Sequence, residues 1–260
     1  MNKNLENKII LITGVEGQLG KSFAEYLIKC NAKVIGLDLK DKSSILHKNY
    51  FYVKADITSK DDLIIAANKI KKNFYLPNVL INNAAIDTPP NSNGEDTGFF
   101  EDFPSIQLDK VIDVNLKGLI ICCQVFGKYM SNNNGGSIIN ISSIYGMLSP
   151  DQSIYDYKRK NGQVFYKPIS YSATKGAVFN ISRYLAVYWA KKNVRVNTLT
   201  FAGVFNNQDE IFLENYCKRI PIGRMANPDD YFGAIFFLSS DMSSYMTGSN
   251  LVIDGGWTSI

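Results

Sequence analysis

The sequence has 260 residues, of which 45% are hydrophobic, and its formal net charge is +4. This length suits one large α/β domain, and no linker rich in Pro, Gly or Ser divides it, so we predict a single domain over residues 1–260. His47 is the only histidine. A multi-histidine metal site is therefore excluded, a serine-hydrolase triad would have to use that one residue, and we expect no bound metal.

Charge and hydropathy also limit the partners of this chain. Acidic residues follow basic ones almost everywhere, so we expect no nucleic-acid partner. No apolar run approaches the roughly 18 residues of a membrane span, and the N-terminal MNKNLENK lacks the apolar core of a secretion signal. We therefore expect a cytoplasmic protein. Its cysteines lack CxxC or metal-ligand spacing and indicate reduced core thiols, at Cys30, Cys122, Cys123 and Cys217.

Short β-branched runs alternate with amphipathic helical patterns along the chain. The runs predict seven strands, at 9–13, 34–37, 51–53, 79–81, 138–141, 194–199 and 251–253. The helical patterns predict helices at 19–28, 59–72, 105–130, 172–192, 208–218 and 228–239, with Asn31 as a left-handed cap after the first. Nearly apolar strands that alternate with helices indicate a doubly wound (Rossmann) α/β fold, with a seven-stranded, mostly parallel sheet and helices on both faces.

A glycine-rich turn, Thr13-Gly14-Val15-Glu16-Gly17-Gln18-Leu19-Gly20, follows the first predicted strand and leads into the first helix. Glycines in this position let the backbone approach a pyrophosphate, and the helix N-terminus offers unpaired N–H groups. Asp38 ends the second predicted strand, 18 residues after Gly20, where a carboxylate accepts hydrogen bonds from the adenosine ribose. The two features together predict a dinucleotide site.

A second motif, Tyr171-Ser172-Ala173-Thr174-Lys175, places a phenol and an ammonium four residues apart, on one face of a helix. A lysine charge about 4 Å from a tyrosine would lower the phenol pKa by about three units at an effective dielectric near 20. A phenol with a pKa lowered this far can transfer a proton near neutral pH. We therefore expect Tyr171 to act as an acid and base.

These motifs and several others make the chain resemble the short-chain dehydrogenase/reductase family from about Lys8 to Trp257, including bacterial surface-glycan sugar dehydrogenases and 3-oxoacyl-thioester reductases. The further matches are the adenine-contacting turn Asp56-Ile57, the segment Asn82-Asn83-Ala84-Ala85, the helix motif Val114-Asn115-Leu116-Lys117-Gly118, the strand end Ile141-Ser142-Ser143 and the terminal Val252-Ile253-Asp254-Gly255-Gly256.

The resemblance implies roles for particular residues. Ser143 would orient the reacting oxygen, Tyr171 would transfer the proton, Lys175 would hold the cofactor ribose and lower the tyrosine pKa, and Asn115 would anchor a water relay. The cofactor NAD would contact Gly14, Glu16, Gly17, Gln18, Leu19, Gly20, Asp38, Asp56, Ile57, Asn83, Ala84, Tyr171, Lys175, Gly203 and Val204. Family members associate through the long helices that here carry Asn115 and Tyr171, which implies a homodimer or homotetramer.

The chain departs from the family pattern at four places. Gln18 occupies the usual second-glycine position, Ala85 replaces a glycine, and Phe201-Ala202-Gly203 stands where a Pro-Gly turn is usual. The interval between Ser143 and Tyr171 is also longer than usual. Tyr155 lies nearer the usual interval but has no lysine four residues later, which favours Tyr171 as the catalytic tyrosine.

The implied activity is NAD(H)-dependent interconversion of a secondary alcohol and a ketone, on a sugar or sugar phosphate. A 3-oxoacyl thioester reductase is the alternative enzyme. A dinucleotide-sensing protein without turnover is the alternative from another class, because a fold alone does not prove activity. The intact set of Asn115, Ser143, Tyr171 and Lys175 argues against the sensor.

Two connections are longer than simple turns, from position 86 to 105 and from 149 to 169. The second, which we call the insertion, has a local charge of +2 and several aromatic residues. We expect it to be either a substrate lid or a solvated surface excursion. As a lid it would bind a small, anionic substrate beside Ser143, with contacts from Tyr155, Lys158, Arg159 and Tyr166.

Overall fold

Seven parallel strands form the sheet of the computed structural model, which describes residues 4–92 and 97–260. They are β1 (Ile9–Thr13), β2 (Lys33–Asp38), β3 (Tyr50–Lys54), β4 (Val79–Asn82), β5 (Gly136–Ser143), β6 (Val194–Phe201) and β7 (Asn250–Ile253). Their order across the sheet is β3-β2-β1-β4-β5-β6-β7, and every pairing is parallel. The direction of winding changes between β1 and β4, and ligands of such sheets bind at the carboxyl ends beside that change.

Helices cover both faces of the sheet. They are α1 (Gln18–Lys29), α2 (Lys60–Asn73), α3 (Ser105–Ile112), α4 (Leu119–Cys122), α5 (Lys128–Asn132), α6 (Asp156–Lys160), α7 (Ile169–Trp189), α8 (Glu210–Cys217) and α9 (Phe232–Ser239). Two π-helical turns, Asp113–Gly118 and Cys123–Gly127, join α3, α4 and α5 into one helical run. A π turn accommodates one extra residue per turn and is frequent at functional sites.

Two apolar layers hold the sheet between these helices. Leu11 and Ile35 point into one layer with residues of α2, α4 and α7, while Ile10 and Val34 point into the other with residues of α1 and α9. Successive side chains of a strand point to opposite faces, and here both faces are buried. This double burial is the physical reason that the strands are apolar throughout.

A third apolar cluster lies outside the two layers and contains the insertion. Tyr155 and Phe165 of the insertion pack with Phe212 and Tyr216 of α8 and with Trp257 near the C-terminus. The insertion consists of a 3-10 turn (Gln152–Tyr155), α6 and an irregular return to α7. It is therefore an ordered, packed part of the fold.

The structure confirms the predicted fold class and corrects several details. All seven predicted strands form, and none extends by more than two residues beyond either predicted end, but the sheet is wholly rather than mostly parallel in the described residues. The helix predicted at 172–192 begins at Ile169, directly after Pro168, and ends at Trp189 before a 3-10 turn. Asn31 has a φ of 66°, the left-handed conformation expected after the first helix.

Two findings concern the chain as a whole. No helix in residues 4–92 or 97–260 combines the length and the apolar character that crossing a membrane requires. The four cysteines are free thiols, and three of them are buried as the sequence predicted, at Cys30, Cys122 and Cys123.

Gly127 allows close packing between the helical run and α7. A Cβ atom at this position would overlap the ring of Trp189, which is almost fully buried. We expect Gly127→Ala to lower the free energy of unfolding by about 1–3 kcal/mol, because the indole has little room to move away. Urea denaturation of the purified variant measures this change.

Gly233 in the first turn of α9 is the matched control, since a Cβ atom there meets nothing within 4 Å. We expect Gly233→Ala to leave the free energy of unfolding unchanged or to raise it by up to about 1 kcal/mol, because alanine favours a helix over glycine. Equal effects of the two substitutions would contradict the packing argument.

Candidate active site

The carboxyl ends of β1 and β4 are joined by hydrogen bonds at the change of winding direction. The backbone N–H groups of Asn83 and Ala84 donate to Thr13 Oγ1 at 3.1 and 3.0 Å, and Asn83 Nδ2 donates to the carbonyl oxygens of Thr13 and Gly14 at 3.0 and 3.2 Å. Asn83 and Ala84, predicted as cofactor contacts, therefore hold the glycine-rich turn in place. We call these four residues the β1–β4 junction.

The glycine-rich turn has the geometry of an anion site. Gly14 has a φ of 65°, and a Cβ atom there would lie 2.8 Å from Ala84 Cα. A Cβ atom on Gly20 would overlap the carbonyl oxygen of Gly14. Helix α1 begins at Gln18 without a side-chain cap at Gly17, so the N–H groups of its first turn, including Leu19, are available to a phosphate.

Two carboxylates meet at the end of β2. Asp38 accepts hydrogen bonds from the backbone N–H of Glu16 at 2.9 Å and from that of Lys40 at 3.3 Å. The Glu16 carboxylate accepts hydrogen bonds from Ser43 and Ser44. Partial burial alone would raise the pKa of Glu16, but these hydrogen bonds and the charge of Lys40 outweigh it and lower that pKa. Glu16 is therefore negatively charged at neutral pH beside Asp38.

The remaining predicted cofactor residues lie in two turns. Asp56 accepts hydrogen bonds from the N–H and hydroxyl of Thr58, and Ile57 packs against Gly118, where a Cβ atom would lie 2.7 Å from Ile57 Cδ1. Gly203 donates its N–H to the Tyr216 hydroxyl at 2.7 Å.

Two further contacts involve the segment after β6. Val204 forms a bridge with Ala226. Gln18 Nε2, at the start of α1, donates to the carbonyl oxygen of Phe205 at 2.7 Å. Gln18 thus joins the glycine-rich turn to the segment that carries Gly203 and Val204.

Ser143, Tyr171 and Lys175 come together at the carboxyl end of β5. Ser143 is the last residue of β5, and its hydroxyl lies close enough to the Tyr171 phenol to lower the pKa of that phenol. The Lys175 ammonium lies 5.7 Å from the centre of the Tyr171 ring and donates to the carbonyl oxygen of Ile141 at 2.9 Å. Ser142 fixes α7 against the strand by donating to the carbonyl oxygen of Lys175 at 2.8 Å.

Burial, rather than the lysine charge, dominates the ionisation of this cluster. Burial, and after it the charge of Asp87, raise the pKa of Tyr171 above its usual value, and the nearby Ser143 hydroxyl opposes them. Burial lowers the pKa of Lys175 to about 8. The lowered tyrosine pKa expected from the sequence is therefore wrong for the protein alone, because desolvation disfavours both charged groups.

Asn115 lies in the first π turn, and its side-chain amide forms three hydrogen bonds. Its Oδ1 accepts from the backbone N–H of Ile86 at 2.7 Å, and its Nδ2 donates to the carbonyl oxygen of Ile86 at 2.9 Å and to Thr174 Oγ1 at 3.3 Å. The side chain of Asn115 thus fixes the segment after β4 against α7. A water of the relay implied by the resemblance could donate only to the remaining lone pair of Oδ1 or to the Asn115 backbone carbonyl.

A charged pair beside the phenol was not predicted from the sequence. Lys167, at the end of the insertion, forms an ion pair with Asp87 in the segment after β4 and lies 5.0 Å from the centre of the Tyr171 ring. The position of Asp87, five residues after the end of β4, was the available signal. Nothing in the sequence pointed from Asp87 to Lys167.

The predicted substrate residues of the insertion are held by the protein itself. Lys158 is 8% exposed and lies over the ring of Phe165. Arg159 forms an ion pair with Asp156, donates to the carbonyl oxygens of Gln152 and Phe165, and stacks over Tyr166. Tyr155 is buried in the third apolar cluster, where its phenol interacts with that of Tyr145.

The insertion also contacts the segment after β4. The backbone N–H of Tyr166 donates to the carbonyl oxygen of Thr97 at 2.8 Å, and the Tyr166 ring lies 5.5 Å from that of Phe99. The two long connections therefore form one wall beside Tyr171. Asn93, Gly94, Glu95 and Asp96 of the first connection lie outside the described residues, and among the rest no group of His, Cys, Asp and Glu could hold a metal ion.

The chain is similar to known proteins along nearly its whole length. Residues 14–258 match the sequence model of a family described as enoyl-(acyl carrier protein) reductase. The NAD-dependent glycerol dehydrogenase of Listeria innocua is 28% identical over 98% of this chain and 95% of its own. The 2-dehydro-3-deoxy-D-gluconate 5-dehydrogenase of Pseudoalteromonas atlantica is 30% identical over 98% of this chain and 97% of its own.

A solved structure agrees with these relatives. The short-chain dehydrogenase of Leptospira borgpetersenii, crystallised with bound NAD+, superimposes with a TM-score of 0.87 at 32% identity, over 99% of this chain and 97% of that one. The order of the motifs, the wholly parallel sheet and these matches agree. The chain belongs to the short-chain dehydrogenase/reductase family.

Proposed function

We propose that this protein is an NAD(H)-dependent oxidoreductase that interconverts a secondary alcohol and a ketone on a sugar or polyol. The observation that carries the proposal is the cluster of Ser143, Tyr171 and Lys175 at the end of β5. It lies on the same edge of the sheet as the glycine-rich turn after β1, as the transfer of a hydride between substrate and dinucleotide requires.

The residues of the cluster have complementary tasks. A bound nicotinamide supplies or accepts the hydride. Ser143 hydrogen-bonds the reacting oxygen, and Tyr171 gives that oxygen a proton in the direction of ketone reduction or takes it in the direction of alcohol oxidation. Because burial raises the pKa of Tyr171, the phenol is neutral at pH 7 and is ready as a proton donor. Lys175 places its ammonium 5.7 Å from the centre of the Tyr171 ring, where its charge favours a phenolate.

The two carboxylates at the end of β2 support NAD over NADP. A 2′-phosphate beside Asp38 would face that carboxylate and the charged Glu16. The relative from Listeria innocua is named as NAD-dependent, and the Leptospira borgpetersenii structure contains NAD+. A site for NAD fits a cytoplasmic location. The free thiols, such as that of Cys30, fit it too, because thiols stay reduced in the cytoplasm.

An apolar groove on the outer faces of α4, α5 and α7 supports a homodimer or homotetramer. Tyr184, Val187 and Tyr188 line the groove, and Val187 is 81% exposed. Exposed apolar patches of this kind mark surfaces that a partner covers. We propose that a second copy of the chain packs here, as the family resemblance implies.

A reductase of acyl thioesters is the second candidate, favoured by the description of the matched family as an enoyl-(acyl carrier protein) reductase. The notable difference between the candidates is the polarity of the substrate beside the reacting carbon. An assay with NADH that compares hydroxylated ketones with a 3-oxoacyl thioester distinguishes them.

Removal of the Tyr171 hydroxyl tests the catalytic assignment. We expect Tyr171→Phe to reduce NADH-linked turnover at least about a hundredfold, because a positioned acid and base is lost. NADH binding, followed by fluorescence titration, should change little. A sensor without turnover would show no activity to lose.

Tyr155→Phe is the control, since Tyr155 is buried in the insertion and its phenol interacts with Tyr145. We expect it to affect turnover far less than Tyr171→Phe. The reverse ranking would move the catalytic tyrosine to position 155.

Neutralising Asp38 tests the cofactor preference. We expect the unmodified enzyme to bind NADH more tightly than NADPH, and Asp38→Asn to tighten NADPH binding about tenfold or more by removing a repulsion. The effect should be largest at low ionic strength, where screening is weakest. Asp41→Asn, at an exposed carboxylate that pairs with Lys54, should leave the ratio unchanged. Tighter binding of NADPH by the unmodified enzyme at low salt would contradict the assignment of Asp38.

The buried Lys175 should reduce stability at neutral pH. Its pKa falls from 10.5 to about 8 on folding, so the unfolded chain binds more protons in this pH window and stability rises as the pH increases from 8 towards 10.5. We expect Lys175→Met to abolish turnover but to raise the free energy of unfolding at pH 7 by about 1–3 kcal/mol.

The gain should shrink near pH 10, where the buried amine of the unmodified protein is already neutral. Lys191→Met, at an exposed lysine just after α7, is the control and should change stability little at either pH. Denaturation at pH 7 and pH 10 measures both variants. A loss of stability in Lys175→Met at pH 7 would contradict the burial argument.

A further inference from the structure

Asp87 and Lys167 form an ion pair beside Tyr171, with only Lys167 buried, that the proposed reaction does not use. Lys167 Nζ contacts Asp87 Oδ1 and also donates to the carbonyl oxygen of Thr88 at 2.8 Å. The two residues are 80 positions apart and belong to the two long connections. The pair therefore joins the two connections directly beside the proposed proton donor.

The backbone that carries Asp87 is fixed from the other side. Asn115 binds both the N–H and the carbonyl oxygen of Ile86, the residue immediately before Asp87. Lys167 binds the carbonyl oxygen of Thr88, the residue immediately after it. With both neighbours held, the direction of the Asp87 carboxylate is set before any substrate binds.

The pair presents only its negative member to the solvent. The Asp87 side chain is 44% exposed, whereas that of Lys167 is 4% exposed. The Lys167 ammonium has its bonds to Asp87 and Thr88 and faces the Tyr171 ring. A carboxylate with this exposure keeps free lone pairs and can accept further hydrogen bonds.

The charge of Asp87 reaches the whole group of phenols around the cluster. It raises the pKa of Tyr171 after burial has done so, and it acts in the same direction on three other phenols, those of Tyr145, Tyr155 and Tyr216. It also acts on Lys175, where it opposes the effect of burial. Asp87 is therefore close to the position where the substrate would react.

We propose that Asp87 selects the substrate by accepting a hydrogen bond from a hydroxyl next to the reacting carbon, and that Lys167 positions the Asp87 carboxylate. This inference rests on the proposed function. In ketone reduction the carbonyl carbon takes the hydride of NADH, which becomes NAD+, and the carbonyl oxygen takes the proton of Tyr171. The hydroxyl on the neighbouring substrate carbon does not react and keeps its hydrogen bond to Asp87. The preferred substrate is a hydroxyketone or polyol without an anionic group at the neighbouring carbon.

This inference differs from the anionic substrate expected from the insertion. Four cations of the insertion suggested it. Lys158 and Arg159 are occupied by Phe165, Asp156 and backbone carbonyls, Lys167 pairs with Asp87, and Lys160 is exposed at the end of α6. The charge that remains exposed beside Tyr171 is the carboxylate of Asp87. A carboxylate on the neighbouring carbon of the substrate would be repelled there.

Three ketones with the same three-carbon skeleton test the proposal. Dihydroxyacetone has a hydroxyl on each neighbouring carbon, acetone has none, and pyruvate has a carboxylate. We expect the unmodified enzyme to have its highest kcat/KM with dihydroxyacetone and its lowest with pyruvate. Asp87→Ala should lower the ratio of kcat/KM for dihydroxyacetone to that for acetone by about tenfold to a hundredfold, the scale of a lost charge-assisted hydrogen bond.

Asp87→Asn is the second variant. Asparagine has nearly the same shape as aspartate and keeps a side-chain oxygen that can accept a hydrogen bond from Lys167. We expect it to raise kcat/KM for pyruvate relative to dihydroxyacetone about tenfold, because the repulsion disappears. Asp102→Asn, at an exposed carboxylate of the same connection, should leave all three ratios unchanged. Ratios that stay within about threefold in both Asp87 variants would contradict the role of Asp87.

Lys167 has its own test as a positioning residue. Lys167→Met should raise KM for dihydroxyacetone about fivefold or more with a smaller change in kcat, and Lys167→Arg should recover most of the loss. An equal rise in KM in Lys167→Met and Lys167→Arg would contradict the idea that the charge of Lys167 positions Asp87.

The same assays separate this inference from the proposed function. Suppose that the unmodified enzyme reduces acetone or pyruvate with the same kcat/KM as dihydroxyacetone. This result would contradict the role of Asp87 but not the proposed oxidoreductase function. An enzyme that fails to bind NADH contradicts the proposed oxidoreductase function.

Discussion

The hydrogen bonds of the β1–β4 junction are the constraint on which the functional groups depend. Asn83 and Ala84 bind Thr13 and Gly14 at the place where the winding of the sheet reverses. The approach of Gly14 to Ala84 leaves no room for a side chain. This contact fixes the glycine-rich turn in relation to the connection after β4, which carries Asp87. The β1–β4 junction thus fixes the position of the cofactor site relative to the connection beside Tyr171.

The reacting end is governed by the cost of burying charge. Lys175 is almost fully buried and has a lowered pKa, while Tyr171 has a raised one, so each group is shifted towards its neutral form. A charge that stabilises the ionised form of Tyr171 or Lys175 must come from the ligand or from a fixed ion pair. Asp87 and Lys167 are such a pair, in which the buried ammonium of Lys167 is compensated by the exposed carboxylate of Asp87.

The sequence predicted the elements and the local motifs well, since these depend on short spacings. The strand runs, the left-handed Asn31 and the spacing of Tyr171 and Lys175 are set within a few residues. The predicted phenol pKa was wrong because a spacing of four residues gives proximity but not the degree of burial. The exposure of Lys158 was also not predictable, because its burial depends on Phe165 and the packing of the insertion against α8.

The pairing of Asp87 with Lys167 was beyond sequence reasoning for a different reason. The connection after β4 and the insertion are distant in sequence, and each looked like an independent loop. Their contact depends on β4 and β5 being neighbours in the sheet, which places both connections on the same side. The π turns were also unpredictable, because the apolar pattern from 105 to 130 fits an uninterrupted α-helix.

The bond from Gln18 to Phe205 couples two parts of the fold that are distant in sequence. It connects the start of α1 with the segment after β6, next to the N–H groups available to a phosphate. A displacement of the glycine-rich turn would therefore be transmitted to the segment that carries Gly203 and Val204, and a displacement of that segment to the turn.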